Sequence, residues 1–189
     1  MQFNEDTYYI EKVLHGDVHS FTPLVDKYKR MAYTLALKIV IVPEDAEEIA
    51  QDAFVKVFHA LKDFKGDSKF STWLYKIVYH TALSKIRKVK HEVSSIDENY
   101  YTALNVPETD DFFAQLTLSE QQVLVRNAIE RLPADERAFI TLYYMNESSI
   151  KEISLISGDS ESNIKVKLFR ARKKLWDLLH YHFKDKIFA

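Results

Sequence analysis

The residues from Ser149 to Trp176 constrain this chain more than any others. They read SIKEISLISGDSESNIKVKLFRARKKLW. Ser149 and Glu152 have the spacing of a capping box, which predicts a helix start. Gly158 can take the left-handed conformation that ends a helix. Ser160 can cap a second helix a few residues later. Helix, glycine turn and helix is the pattern of a DNA-binding helix-turn-helix.

The second helix carries the chemistry. Ile164, Leu168, Ala171 and Leu175 fall on one apolar stripe, suited to a core. The other side carries Ser162, Asn163, Lys165, Val166, Phe169, Arg170 and Lys173, with Arg172 and Lys174 nearer the flanks. From Glu161 to Trp176 six bases (Lys165, Lys167, Arg170, Arg172, Lys173, Lys174) stand against one acid, Glu161. A helix with such a face fits a major groove. Phe169 lies about 140° off the apolar stripe by the helical repeat. An aromatic there suits a thymine methyl or a partner surface. The competing reading is a solvated amphipathic helix with Phe169 buried by a neighbour.

The remaining sequence reads as helices. Three Gly and four Pro in 189 residues are too few for many-turned β structure. There is no Cys, which excludes disulfides, cysteinyl zinc sites and a thiol switch. Met1 to Asp6 is polar with no apolar segment after it, so no signal peptide is expected. The longest apolar run, Ile39 to Val42, is too short to span a bilayer. A cytoplasmic protein without membrane insertion is expected. The net charge of −2 excludes a uniformly basic DNA binder, but charge is unevenly distributed.

Glu5 to His15 is predicted as a first helix stopped by Gly16, with a second starting near Asp17 or Thr22-Pro23. Ile39–Val42 has the composition of a short strand, though no partner strand is in view, and Pro43 ends it. Pro43 to Phe58 is strongly amphipathic, with acids suited to a helix start. Asp45, Glu48 and Asp52 share one face, with Gln51 adjacent. Even spacing and the lack of a tied His or nucleophile make this a protein-docking or solvated face rather than a catalytic pair.

Charge then reverses. Lys65 to Lys90 holds seven bases (Lys65, Lys69, Lys76, Lys85, Arg87, Lys88, Lys90) and one acid, Asp67, interleaved with Phe70, Trp73, Tyr75 and Tyr79. Bases with aromatics suit single-stranded nucleic acid, through phosphate contact and stacking. The plainer reading makes Phe70, Trp73 and Ile77 core residues. Ser71 is expected to cap this helix. His91 to Val125 reverses charge again, with seven acids and no Lys or Arg.

The expected fold class is therefore all-α: two small helical domains joined by an acidic linker, the second a helix-turn-helix. Its boundaries are 1–90, 91–116 and 117–189. The last module should start near Phe112 or Thr117 and break at Leu132-Pro133. No P-loop, dinucleotide fingerprint or nucleophile elbow is present. His15 and His19 straddle Gly16, a poor metal pair. No metal or cofactor is expected.

Over nearly its whole length the chain resembles bacterial sigma factors of the extracytoplasmic-function (ECF) class. The resemblance rests on Gly16-Asp17, Phe21 and Tyr28; on Asp45 to Phe54; and on Phe70-Ser-Thr-Trp-Leu-Tyr-Lys-Ile77 with Ile86-Arg-Lys88. It continues through Ile129-Glu-Arg-Leu-Pro133, Arg137, Glu152-Ile153, Ser160 to Lys165 and Leu168 to Leu175. It implies a non-enzymatic initiation factor that directs core RNA polymerase to promoters. By that resemblance Asp45, Glu48, Gln51, Asp52 and Val55 would dock on the polymerase clamp helices. Lys65, Ser68, Lys69, Phe70, Trp73, Lys76, Tyr79, His80, Arg87 and Lys88 would open the −10 element and hold an unstacked base. Ser162, Asn163, Lys165, Val166, Lys167, Phe169, Arg170, Arg172, Lys173 and Lys174 would read the −35 duplex. The linker would thread toward the active-site and RNA-exit channel, near the polymerase flap. An anti-sigma factor is the expected regulator.

Three positions depart from the family pattern. Asp159 stands where an aliphatic residue is usual, and an acid there is expected to loosen packing or face solvent. His80 replaces a common Asn and Ser84 a common Asp. Two rivals remain. A LuxR-like helix-turn-helix regulator explains Ser149 to Trp176 but leaves the basic aromatic stretch unexplained. A helical adaptor binding only protein explains neither cationic surface. If the two halves close on each other, the acidic linker is expected between two positive surfaces, and salt should weaken the closure.

Overall fold

The computed structural model describes residues 5–92 and 116–187, with side chains described over 5–88 and 116–180. Most of the acidic linker, and Phe112, lie outside the described residues. Eight α-helices occur among them: α1 (Glu5–Leu14), α2 (Thr22–Val40), α3 (Pro43–Ala60), α4 (Phe70–Glu92), α5 (Leu118–Glu130), α6 (Ala134–Ile140), α7 (Ile150–Ser157) and α8 (Glu161–Ile187). No strand is found among the described residues.

Local chemistry accounts for the boundaries. A 3₁₀ turn over Val18–Phe21 leads into α2, which accepts Pro23 in its first turn. The run Ile39–Val42 is not a strand. Ile39 and Val40 finish α2, Ile41 turns left-handed at φ 70°, and Val42 caps α3. A chain with no neighbouring strand keeps its hydrogen bonds inside the helix instead. Helix α4 begins at Phe70, one residue before the expected cap Ser71. The Trp73 amide donates to the Lys69 carbonyl, which makes Lys69 the capping residue.

The C-terminal capping boxes form as their spacing dictates. Thr117 and Glu120 start α5, and Ser149 and Glu152 start α7. Each cap contributes about 1 kcal/mol. Between α6 and α7, a π-helical turn over Thr141–Met145 carries Tyr143, Tyr144 and Met145 at the surface.

Helices α2, α3 and α4 pack around Leu24, Leu35, Ile49, Val57, Leu74 and Val78. Helices α6, α7 and α8 pack around Phe139, Leu142, Ile153, Ile156, Ile164 and Leu168. These two groups join into one continuous apolar cluster, because α4 lies against α7 and α2 against α6.

Candidate nucleic-acid interface

Helix α8 sorts its side chains as its periodicity requires. Ile164, Leu168 and Ala171 are buried, and Leu175 is partly buried. Ser162, Asn163, Lys165, Val166, Phe169, Arg170, Arg172 and Lys173 are exposed. Phe169 keeps 63 % of its surface open, so no neighbour in the described residues covers it. Arg172 Nη1 donates to the Tyr144 hydroxyl at 3.3 Å, which ties the exposed π-turn to the cationic face.

Two lysines of α8 turn inward. Lys174 Nζ lies 2.8 Å from Glu136 Oε1. Lys167 Nζ lies 2.9 Å from Asp159 Oδ2 and 3.1 Å from Asp135 Oδ2, and 5.2 Å from the Phe139 ring centre. Burial disfavours the Lys167 charge, but the bonds to Asp159 and Asp135 outweigh it and raise its pKa. Asp159 thus faces α8 rather than solvent. Its other oxygen, Oδ1, accepts from Asn163 Nδ2 at 3.0 Å.

The second cationic surface lies on α4. Lys65 and Lys69 are exposed in the loop before it; Lys76, His80, Ser84, Arg87 and Lys88 are exposed along it. Trp73, Lys76, His80, Ser84 and Lys88 line a groove of about 540 Å³ whose far wall is Glu48, Ile49, Asp52 and Lys56 of α3. Phe70 is buried among Phe64, Trp73 and Tyr28, with ring centres 5.9, 6.1 and 5.6 Å away. The Tyr28 hydroxyl donates to Asp6 Oδ2 at 2.6 Å, and Lys27 Nζ lies 2.6 Å from Asp6 Oδ1. Burial and then the bond to Asp6 raise the Tyr28 pKa. Asp6 and Tyr28 therefore support the aromatic cluster from beneath. Sequence reasoning passed over Asp6, whose only signal was an acid in a first helical turn.

The acidic surface lies on α3. Lys85 of α4 bonds Glu48 Oε2 at 2.8 Å and Asp45 Oδ1 at 3.1 Å, and those bonds raise its pKa. Gln51, Asp52 and Val55 are exposed further along, Val55 at 56 %.

The two halves meet over the α4 surface. Tyr79 stacks on Phe139, with ring centres 6.2 Å apart and planes 18° off parallel, and is only 4 % exposed. Burial, and then the nearby Asp135 carboxylate, push its hydroxyl up to about 12. Lys69 Nζ lies 2.7 Å from Glu152 Oε1 at the start of α7. Arg137 of α6 donates to the carbonyls of Lys38 and Ile39, both at 2.6 Å, as well as to Glu130 and Leu132. Closure within the described residues thus rests on the shared apolar cluster, a ring stack and backbone hydrogen bonds, with one ion pair. The acidic linker, expected between the two positive surfaces in a closed form, lies mostly outside the described residues.

No group of three or more potential metal ligands occurs among the described residues. No helix among them is long and apolar enough to cross a membrane.

Comparison with known proteins agrees with this geometry. The sigma-70 region 2 family model matches residues 24–92, and the sigma-70 region 4 model matches 122–175. The chain is 30 % identical to the RNA polymerase sigma-H factor of Pseudomonas aeruginosa over 179 residues, covering 90 % of this chain and 92 % of that one. It is 31 % identical to the ECF RNA polymerase sigma-E factor of Escherichia coli over 176 residues, with the same coverage. Among solved structures, CnrH in complex with the cytosolic domain of CnrY superposes with a TM-score of 0.65 at 23 % identity, over 93 % of this chain and 97 % of that one. The sigma factor RpoE in complex with the anti-sigma factor NepR, from Bartonella quintana, gives 0.65 at 24 % identity, over 84 % and 96 %. These two share the fold. With both regions matched and nine-tenths of its length aligned to ECF relatives, the chain belongs to the sigma-70 family of RNA polymerase sigma factors, in its ECF class.

Proposed function

We propose that this sigma factor divides promoter recognition between its two cationic helices and docks on core RNA polymerase through α3. The chain binds core polymerase and directs it to promoters, as its family does. The division of labour is our reading. Domains spanning 1–90 and 117–189, with 91–116 as linker, carry it.

The observation that supports it is the sorting of charge onto separate faces. Exposed Asp52, Gln51 and Val55 offer an acidic, partly apolar surface for the clamp helices. The groove beside it, with Trp73, Lys76, His80 and Lys88, joins phosphate-binding charge to a stacking ring. The open face of α8 presents Asn163, Lys165, Phe169 and Arg170 for the −35 duplex. Asp45 and Glu48, already bonded to Lys85, contribute to docking mainly by holding α3 against α4.

In the closed arrangement Tyr79 and Lys69 are engaged by the C-terminal half. Reading the −10 element with them requires the halves to part. Core polymerase, by spacing its two docking sites, would supply that separation. A protein antagonist of the anti-sigma type would act by holding the halves together or covering α3. No catalytic step belongs to this chain, and a cytoplasmic location follows from its polymerase partner.

Footprinting on one cognate promoter tests this reading. The expected result is protection of both elements by the chain with core polymerase, and little protection by the chain alone. Specific protection of duplex DNA by the chain alone, unchanged by core polymerase, would favour the LuxR-like regulator.

A further inference from the structure

Asp159 sits at the turn of the helix-turn-helix and is anchored at three points. Its amide donates to Ser157 Oγ at 3.1 Å, its carbonyl accepts from Ser154 Oγ at 2.7 Å, and its Oδ2 holds Lys167 Nζ at 2.9 Å. Gly158, at φ 84°, sets the turn that aims it along α8. The one remaining bond, from Asn163 Nδ2 to Oδ1 at 3.0 Å, therefore ends on a fixed acceptor.

Asn163 lies in the first turn of α8, exposed, where a recognition helix meets base edges. Its amide group has two N–H donors and one carbonyl acceptor. Asp159 takes one donor. One N–H and one carbonyl remain, the pair that adenine N7 and N6 require. Without Asp159 the amide can rotate and lose that aim, because its backbone is fixed but its side chain is not. The Asn163 backbone N–H donates to Ser160 Oγ at 3.3 Å, which fixes the backbone that carries the amide.

We infer that Asp159 is a positioning residue for promoter selectivity: it holds the Asn163 amide so that it reads one adenine of the −35 element. The inference rests on the duplex-reading role proposed for α8. It also gives Lys167 a task inside the protein, as the cation that keeps an acid at the mouth of a DNA-binding helix from repelling phosphate.

The test uses the full chain with core polymerase, selecting from promoters randomised in the −35 element. Wild type, Asp159→Ala, Asp159→Asn and Asn163→Ala are compared. Wild type should prefer adenine at one position, and Asn163→Ala should lose that preference alone. Asp159→Ala should lower it about tenfold at the same position, the scale of one bidentate base contact, with other positions unchanged. Asp159→Asn keeps an amide oxygen that accepts from Asn163, and should restore most of the preference. An Asp159→Ala variant with unaltered preference, or with a uniform loss at all positions, overturns the positioning role. So does an Asp159→Asn variant that behaves like the alanine variant. Wild-type holoenzyme without any −35 preference would overturn the duplex-reading role of α8 itself.

Discussion

Arg137 Nη2 donates to the Ile39 carbonyl at 2.6 Å, across 98 residues of chain. Pro43 explains why that carbonyl is available. In a continuous helix Ile39 would accept from residue 43, and a proline has no N–H to give. The arginine takes the place of the missing donor at Ile39, and also bonds the Lys38 carbonyl at 2.6 Å, left open because α2 ends at Val40 before Val42 can donate to it. Its bonds go to four carbonyls and no carboxylate, at 8 % exposure. Burial lowers its pKa, though an arginine remains charged.

Replacing Arg137 with Ala should leave these carbonyls without a donor and remove the main polar tie between the halves. A loss of about 3 kcal/mol is expected, the scale for stranding several buried polar groups. Thermal unfolding measures the loss. Small-angle scattering should show a larger radius of gyration for the variant at temperatures where its helices remain formed. An unchanged radius and unchanged stability would rule out the tie.

The Lys69–Glu152 pair adds a pH-dependent component. The bond to Lys69 holds the Glu152 carboxyl below its usual value of 4.5. A depressed carboxylate stabilises the folded form above its unfolded pKa, and that contribution is lost as pH falls through the folded value. Lys69 is largely exposed, so the contribution is at most about 1 kcal/mol. Glu152→Gln keeps a capping-box residue but drops the charge. It should lower stability slightly at pH 7, with the difference from wild type shrinking as pH falls below 4.5 and through the lowered folded value. A difference that persists in acid would assign the effect to the cap.

Phe169 and Arg170 should be dispensable for folding and needed for promoter choice. Both are exposed, so Phe169→Ser and Arg170→Ala should change stability by about 0.5 kcal/mol or less. Each should weaken cognate −35 binding by about 1–3 kcal/mol. Competition between −35 variants, read by electrophoretic mobility of the holoenzyme complex, checks this. Unaltered discrimination would place the reading surface elsewhere on α8.

Asp52 separates docking from folding in the same way. Asp52→Arg inverts one charge at an exposed position of α3. Affinity for core polymerase should fall about tenfold or more, with the melting temperature preserved. Normal holoenzyme assembly would move the docking surface off α3.

The helices, the capping box at Ser149 and the glycine turn were legible because each depends on residues within a few positions; Thr117 stood only as one of two possible starts, and its capping box with Glu120 emerges from the structure. The open face of α8, including Phe169, followed from the 3.6-residue repeat. Ile39–Val42 stays open between strand and helix by sequence, because its β-branched composition points to strand with no partner in view. The outcome was decided by Pro43 and by the lack of any strand to pair with. Contacts distant in sequence were not legible. Nothing local to Arg137 announces Ile39, and nothing near Tyr79 announces Phe139. Lys167 and Lys174 counted as DNA-facing charges by sequence, yet acids on α6 draw both inward. Asp159 stood out as unusual, but its partners appeared only once the turn was built.

Run-off transcription with core RNA polymerase on genomic fragments, with and without this protein, tests the central claim most directly. The account predicts discrete new start sites that appear only when the protein is added, sharing two sequence elements upstream. It also predicts that Asp52→Arg reduces every start and Arg170→Ala reduces them selectively by promoter. No new start sites, from protein that is folded and mixed with active core polymerase, would contradict it.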